Sequence, residues 1–563
     1  MLKRLWLTMN KNISKTEKEL MFIPIGGCSV IGMNLYAYIW NDQWILVDMG
    51  MGFDNTLGRE LLVPSPDLLV KNKSKIKALF VTHSHEDHIG AIPYLWSKIE
   101  CPIYGRPFAI EMIRDRLSQF GMEANVPLIK ASLKSGVSVG DFKVEFIPVA
   151  HSTPESSALA IKTPEGVVIH TGDWRLDDDP VLGAKTDEEK LKAYGDSGVL
   201  ALICDSTNVF RDERFGSERK VRTNIVKIVK DHPKNRILIT CFASNLARLE
   251  TCYVAAKESG RQLAVAGRSL KRIERIAKMS GYLSNIPAFL DDKKAASLDP
   301  SKVLLVCTGS QGERSSALNQ MANNAHKAIK LCSDDIVIFS SRVIPGNEKA
   351  VFNMQNLLTE NGVKVIADMD SNIHASGHPS KEELHHLYSI TKPHFLVPIH
   401  GETMQLYRHA EIAKEYGIKN VIVPRDGSVL KLSKDDPKII DTVETGMLAV
   451  DGNKLIPLDG VVYKQRLSLS SNGVVSACIG QGKVIIKLLD FSCYGLFENS
   501  EYDDEEDVKK DIASEIKLSL ESVSQKKPQL KELKLSVEKI IRRALFDAIG
   551  KKPVIFVHII SIQ

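Results

Sequence analysis

Residues 81–90 read VTHSHEDHIG and follow the apolar run IKALF without a break. Three histidines, His83, His85 and His88, and two acids, Glu86 and Asp87, share six consecutive positions. A packed core has no room for so many imidazoles, and a solvated loop has no use for them. Alternate side chains of an extended segment lie on one side, so His83 and His85 reach a common point. Asp87 and His88 sit just beyond and reach a second. Imidazole nitrogen and carboxylate oxygen suit zinc, and two ions a few ångströms apart need further ligands from distant parts of the chain.

The chain offers them in repeated settings. His151 follows VEFIPVA, Asp173 follows VVIHTG and His400 follows HFLVPI, each a run that reads as a strand. Ligands at strand ends converge on one edge of a sheet. His83, His85 and His151 are therefore expected on one zinc ion, and Asp87, His88 and His400 on a second. Asp173 bridges the two, because a carboxylate has two oxygens to share. His170 reads instead as a core histidine. Two such cations lower the pKa of a shared water and stabilise attacking and leaving oxygens. Phosphodiesters gain most, since charge on their non-bridging oxygens is what needs stabilising.

The rhythm of the chain supports a layered α/β sandwich over 20–210, with short apolar strands such as NLYAYIW, QWILVDMG and GVVIHTGD. Over 211–372 it changes to near-continuous apolar strands alternating with helices, the pattern of a parallel sheet covered on both faces. Segment 373–440 returns to the earlier style, so the second domain is expected as an insertion into the first. A strand-rich linker over 441–465 and a small α/β domain over 466–563 follow, and 1–19 reads as an N-terminal extension. The run ENSEYDDEED inside the last domain reads as a solvated hinge.

Composition adds limits rather than a function. In 563 residues a formal net charge of +5 permits a local basic groove for a polyanion without demanding one. The nine cysteines form no C-x-x-C pair and several lie in apolar runs, which suits a reducing, cytoplasmic setting. No apolar run approaches the roughly 18 residues of a membrane span. The basic N-terminal stretch lacks the apolar stretch of a secretory signal.

H-x-H-x-D-H with a distal His, an Asp and a late His resembles the metallo-β-lactamase superfamily. CDSTN, HASGH and VPIHGE, supplying Asp205, His378 and His400, resemble the marks of its β-CASP group, which acts on nucleic acids. GMN at 32–34, GRS at 267, TGSQGE at 308 and PGNE at 345 are similar to bacterial ribonuclease J. The resemblance implies an αββα sandwich with an inserted β-CASP parallel α/β domain and a small α/β C-terminal domain. It implies two zinc ions, 5′-to-3′ exonuclease action on 5′-monophosphorylated single-stranded RNA, endonuclease cuts, and a homodimer or homotetramer held by the C-terminal domain. Within it Asp87, Asp205 and His378 are catalytic candidates, His378 as general acid or phosphate contact oriented by Asp205. The small-residue loop His374, Ala375, Ser376, Gly377 and His378 is a phosphate cradle, and Ser244 and Asn245 line the RNA path.

One departure is visible: GGCSVIG has Ser29 and Val30 where the family carries a Gly-Glu pair. The segment precedes Asp48, read as a buttress of the metal site. Three rivals remain open at this point: a nuclease of the same group acting on DNA or only internally, a non-catalytic RNA-binding subunit, and a small-molecule hydrolase.

Overall fold

The computed structural model describes residues 19–54, 60–214, 216–344, 346–367, 372–482, 486–496, 505–524 and 529–561. The N-terminal extension up to residue 18, Pro345 of PGNE and most of the acidic run (498–504) lie outside the described residues. The chain divides into two compact units, Met1–Gly52 with Leu62–Gly446, and Phe53–Leu61 with Met447–Gln563.

The first unit contains two facing sheets. In the eight-stranded one, Met21–Gly26, Leu35–Trp40 and Gln43–Val47 form an antiparallel meander, extended in parallel by Ile76–Phe80, Ile103–Gly105 and Leu128–Lys130. On its other side Ser428–Lys431 pairs with Met21–Gly26, and Lys438–Thr442 forms the edge beyond it. The seven-stranded sheet runs antiparallel from Val137–Val139 through Phe142–Pro148, Ser157–Thr163 and Gly166–His170, then parallel through Ala201–Asp205 and Phe395–Ile399.

Alternation explains the pairing of the sheets. In Phe142–Pro148, Phe142, Val144 and Phe146 are buried while Lys143 is exposed. Those three join Phe22, Tyr38, Val47 and Phe80 of the other sheet in one core. Each such side chain contributes roughly 1.5–3 kcal/mol by leaving water. The outer face of the seven-stranded sheet presents Ile147, Ile169 and Leu202 to Leu191, Leu387 and Ile412 of helices Glu188–Ser197, Lys381–Thr391 and Thr403–Tyr416. The layers are helix, sheet, sheet, helix.

Ala201–Asp205 and Phe395–Ile399 are neighbours in register although far apart in sequence. Between them the chain builds a separate six-stranded sheet, parallel throughout, from Ile237–Thr240, Gln262–Ala266, Leu290–Asp291, Val303–Cys307, Ile336–Phe339 and Lys364–Ile366. Its central strands Ile237–Thr240 and Val303–Cys307 are buried on both faces, and Asn245, Asp291 and Ser316 cap helices that cover it.

The second unit has a three-stranded sheet of Ile486–Tyr494, Val474–Gln481 and Val554–Ser561 with helices Glu505–Ser524 and Leu530–Ile549. Leu533, Val537, Ile541 and Leu545 recur every four residues and are fully buried, so the apolar stripe of the last helix packs inside its own unit. No helix among the described residues is long and apolar enough to cross a membrane. Six of the nine cysteines are buried, and all are free thiols.

Candidate active site

The segments that carry the metal-ligand candidates each lie just beyond the carboxyl end of a strand. Ile76–Phe80 leads to His83, Phe142–Pro148 to His151, Gly166–His170 to Asp173, and Phe395–Ile399 to His400. Phe142–Pro148 and Gly166–His170 each pair antiparallel with the strand between them, so their carboxyl ends emerge on one edge. Ser157 N donates to Thr82 O at 3.1 Å and stitches the two sheets together there. His85 begins the short helix Glu86–Ile89, which turns Asp87 and His88 inward. A side chain at Gly50 would meet Asp87 O at 1.5 Å, so only glycine lets this backbone approach.

The ligand atoms fall into two groups. His83, His85, His151 and Asp173 form one, Asp87, His88, Asp173 and His400 the other, with atoms in each group within 4.8 Å of one another. His85 Nδ1 stands 3.1 Å from both His83 Nε2 and His151 Nε2. Asp173 Oδ2 lies 3.6 Å from His83 Nε2, 3.3 Å from His88 Nε2, 3.7 Å from His151 Nε2 and 3.5 Å from His400 Nε2. Asp173 Oδ1 is buried with no hydrogen-bond partner. Facing nitrogen lone pairs around a carboxylate repel it and each other until a cation enters. This donor set, nitrogen from five imidazoles and oxygen from two carboxylates, fits a pair of divalent metal ions.

A further ring of contacts fixes the ligands. Asp48 Oδ2 lies 2.7 Å from His88 Nδ1 and accepts the Thr82 hydroxyl at 2.8 Å, while that hydroxyl is 3.0 Å from His83 Nδ1. Asp48 therefore orients one imidazole of each group, the buttress expected of it. His400 Nδ1 is 2.9 Å from Asn34 Oδ1, and Asn34 Nδ2 donates to Asp87 O at 3.1 Å. His151 Nδ1 donates to Gly377 O at 2.6 Å. Asp48 (φ 59°) and His400 (φ 52°) sit in the left-handed region, a strain of order 1 kcal/mol each that the surrounding bonds sustain.

Electrostatics separates the two groups. Burial, and the crowding of other imidazoles, push His83 and His151 well below the ordinary histidine value. Burial likewise lowers His85 to about 4, against the opposing pull of Asp87 and Asp173. These rings are neutral, as metal ligands must be. Burial also pushes His88 down, but Asp173, Asp87 and Asp48 together override it and raise it well above the usual value.

His378 stands over this centre. Its Nδ1 donates to Asp205 Oδ2 at 2.7 Å and lies 4.0 Å from Asp173 Oδ2. Burial opposes its charge, yet Asp205 and Asp173 raise it to about 9, so it carries a proton at neutral pH.

The loop before His378 is pinned by donors. Arg248 donates to Ile373 O at 2.9 Å, Arg175 to Ser376 O at 2.8 Å and Asn208 to His378 O at 3.0 Å. Ala375 and Ser376 are buried, and burial with the nearby guanidiniums of Arg248, Arg175 and Arg342 holds His374 neutral. A side chain at Gly377 would strike the His151 ring at 2.5 Å. Asn245 is buried and spends its side-chain oxygen on Arg248 N at 2.9 Å, capping helix Leu246–Glu258, beside half-buried Ser244.

Glu86 answers separately from its neighbours. It takes no place among the ligand groups; its carboxylate lies 3.8 Å from Arg116 and 3.7 Å from Arg272 of the inserted domain. His170 is buried against Tyr36 and Tyr38, with Tyr38 Oη 2.9 Å from its Nδ1, and burial lowers it to about 3. Ser29 and Val30 are half-buried on the loop between Cys28, whose N donates to Asp426 at 3.0 Å, and Asn34. All seven ligand candidates assemble without a carboxylate at position 30. Asn34, Thr82 and Asn208 were not assigned roles from the sequence, although GMN, VTHSHEDHIG and CDSTN contain one each.

Comparison with known proteins agrees with this geometry. Three family descriptions match in succession: metallo-beta-lactamase superfamily (33–234), ribonuclease J beta-CASP domain (234–358) and Zn-dependent metallo-hydrolase RNA specificity domain (362–424). Ribonuclease J of Sinorhizobium meliloti is 35% identical over 556 residues, spanning 97% of this chain and 98% of its own. Ribonuclease J 1 of Streptococcus pyogenes is 37% identical over 472 residues, 83% of this chain and 84% of its own, and ribonuclease J2 of Bacillus subtilis is 32% identical over 470 residues with the same coverage. A solved protein of unknown function from Enterococcus faecalis shares the fold, with a TM-score of 0.52 at 18% identity over 74% of this chain and 100% of its own. The αββα sandwich with its inserted β-CASP domain is thus the architecture anticipated from the motifs. With a relative matched nearly end to end and the β-CASP segment matched by its own description, the chain belongs to the ribonuclease J family.

Proposed function

We propose that this chain is a zinc-dependent ribonuclease that degrades single-stranded RNA 5′-to-3′ from a 5′-monophosphate, with endonuclease cuts, in cytoplasmic processing and decay of ribosomal and messenger RNA. The observation that carries the reading is the juxtaposition of the two ligand groups sharing Asp173 with a protonated His378 within 4.0 Å of that same carboxylate. Two zinc ions held there supply Lewis acidity and positive charge where a phosphodiester develops negative charge.

The chain's own residues do the rest. His378 holds a proton at Nε2 for the leaving oxygen, and Asp205 fixes its ring through Nδ1. Asp87 and Asp173 keep the histidine ligands in register. Pinning the carbonyls of Ile373 and Ser376 turns the N–H groups of His374 and Gly377 away from Arg248 and Arg175, toward a face that suits a phosphate. Ser244 is a further candidate along the RNA path, with Asn245 holding the helix behind it. The second unit is the proposed site of homodimer or homotetramer contacts.

The test uses single-stranded RNA labelled at its 5′ end in monophosphate, triphosphate and hydroxyl forms, a matched DNA, and His85→Ala. Rapid release of labelled mononucleotide from the monophosphate form, lost in His85→Ala, is expected. Internal fragments regardless of the 5′ group reassign the enzyme to endonuclease, cleavage of the DNA reassigns its substrate, and zinc-loaded protein without turnover makes it a non-catalytic RNA-binding subunit.

A further inference from the structure

Resting on the general-acid reading of His378, we infer that Asn208 is a positioning residue that couples the inserted domain to that histidine, with Arg342 acting through it. The turn Asp205–Asn208 follows the last strand before the insertion and holds His378 twice. Asp205 Oδ2 accepts from the ring Nδ1 at 2.7 Å, and Asn208 Nδ2 donates to the backbone oxygen at 3.0 Å. The same Nδ2 donates to Ser376 Oγ at 2.7 Å, and that hydroxyl lies 3.3 Å from His378 N.

The remaining atom of the Asn208 amide points the other way. Its Oδ1 accepts from Arg342 Nη1 at 2.7 Å, and Arg342 follows Ile336–Phe339, a strand of the inserted sheet. Gln311 of the TGSQGE loop donates to Arg342 O at 2.9 Å, so the backbone that carries the guanidinium is held by a second loop of that domain. Asn208 is 5% exposed with both amide protons and its oxygen committed. An amide saturated in this way has one low-energy orientation, and breaking one end leaves a buried partner unsatisfied. Between them, Thr207 N donates to Asp205 Oδ1 at 2.8 Å, and its hydroxyl lies 3.1 Å from His400 O. One turn therefore joins the inserted domain, the proton-bearing ring and a metal ligand. Arg342 reaches that turn through the Asn208 amide, so the placing of the inserted domain is transmitted to the ring that must meet the leaving oxygen.

Zinc-loaded Asn208→Ala, Arg342→Ala and the double variant are compared with wild type on 5′-monophosphorylated RNA. A misplacement of the acid lowers kcat by about 100-fold in Asn208→Ala while KM stays within about threefold. Zinc content remains that of wild type and the variant stays folded at the assay temperature although its melting temperature falls, so a lower kcat at constant KM is not a loss of folded enzyme, as a merely structural role would make it. Arg342→Ala lowers kcat by about tenfold, and the double variant is no worse than Asn208→Ala, because the two act in series. Should Asn208→Ala unfold or lose zinc, Asn208→Asp carries the test: it keeps the acceptor for Arg342, removes the donor to His378, and is expected to lose kcat alike. Wild-type kcat in Asn208→Asp, losses that multiply in the double variant, or Arg342→Ala raising KM at constant kcat each overturn the inference, the last by placing Arg342 on the RNA. An active wild type with unimpaired Asn208→Ala overturns it alone; a zinc-loaded wild type that cleaves nothing overturns the reading of the site with it.

Discussion

The two halves of the metal centre share Asp173 but are built from opposite electrostatics. The His83, His85 and His151 half is three imidazoles that burial and mutual crowding keep neutral. The His88 and His400 half contains Asp87 and is backed by Asp48, and its carboxylates draw a proton onto His88. The neutral half offers lone pairs at once; the anionic half offers stronger attraction but must first release a proton. A shared carboxylate lets one site combine both kinds of pocket, with His378 placed beside it between His151 and His400.

Removing the bridge should abolish the distinction. Asp173→Ala is expected to lose both ions, measured as zinc per chain, and to lower kcat by about 10⁴-fold or more. Asp205→Asn sharpens the comparison from the acid's side. It removes the main charge that raises His378 to about 9, so kcat falls by about 10²–10³-fold and the alkaline limb of the pH profile moves down toward 6.5. An unmoved limb would show that another group sets it.

Acid should separate the halves directly. Zinc competes with a proton on His88, whose pKa is raised, and the competition strengthens as pH falls. His85, lowered to about 4, stays unprotonated much further. Equilibrium dialysis between about pH 8 and pH 5 should show one ion leaving first, and His400→Ala should abolish that early step while leaving the later one. Simultaneous loss of both ions would break the comparison. Asp48→Asn should weaken zinc binding about 10–100-fold, because it unseats His88 directly and His83 only through Thr82.

The smallest effect lies behind the loop that leads to Asn34. Burial raises Asp426 to about 6, above its unfolded value, so folding favours the protonated form. The cost of ionising it is absent below pH about 4 and complete above about 6, so Asp426→Asn should stabilise the first unit by about 3 kcal/mol at pH 8 and not at pH 4. Asn keeps an oxygen for Cys28 N, and melting temperatures at the two pH values test the difference.

All seven ligand candidates were legible because each is a metal-binding residue type placed just after an apolar strand, and strand ends on one edge converge whatever the rest of the chain does. The parallel inserted sheet was legible for a similar reason, since strands buried on both faces read as unbroken apolar runs.

Tertiary structure alone decided the rest. Asn34, Thr82 and Asn208 are ordinary polar residues until folding brings Asn34 to His400, and Asn208 to Arg342 and His378, across hundreds of residues or between two domains. Asn245 was expected to line the RNA path, and only the helix that it caps fixes how its oxygen is spent. Glu86 sits among ligands in sequence, yet the turn into helix Glu86–Ile89 directs it toward Arg116 and Arg272 instead. Residue type and strand-end position determine which atoms can bind a metal ion. Which of them are neutral, charged or held in place depends on burial and on partners distant in sequence, and those exist only once the chain has folded.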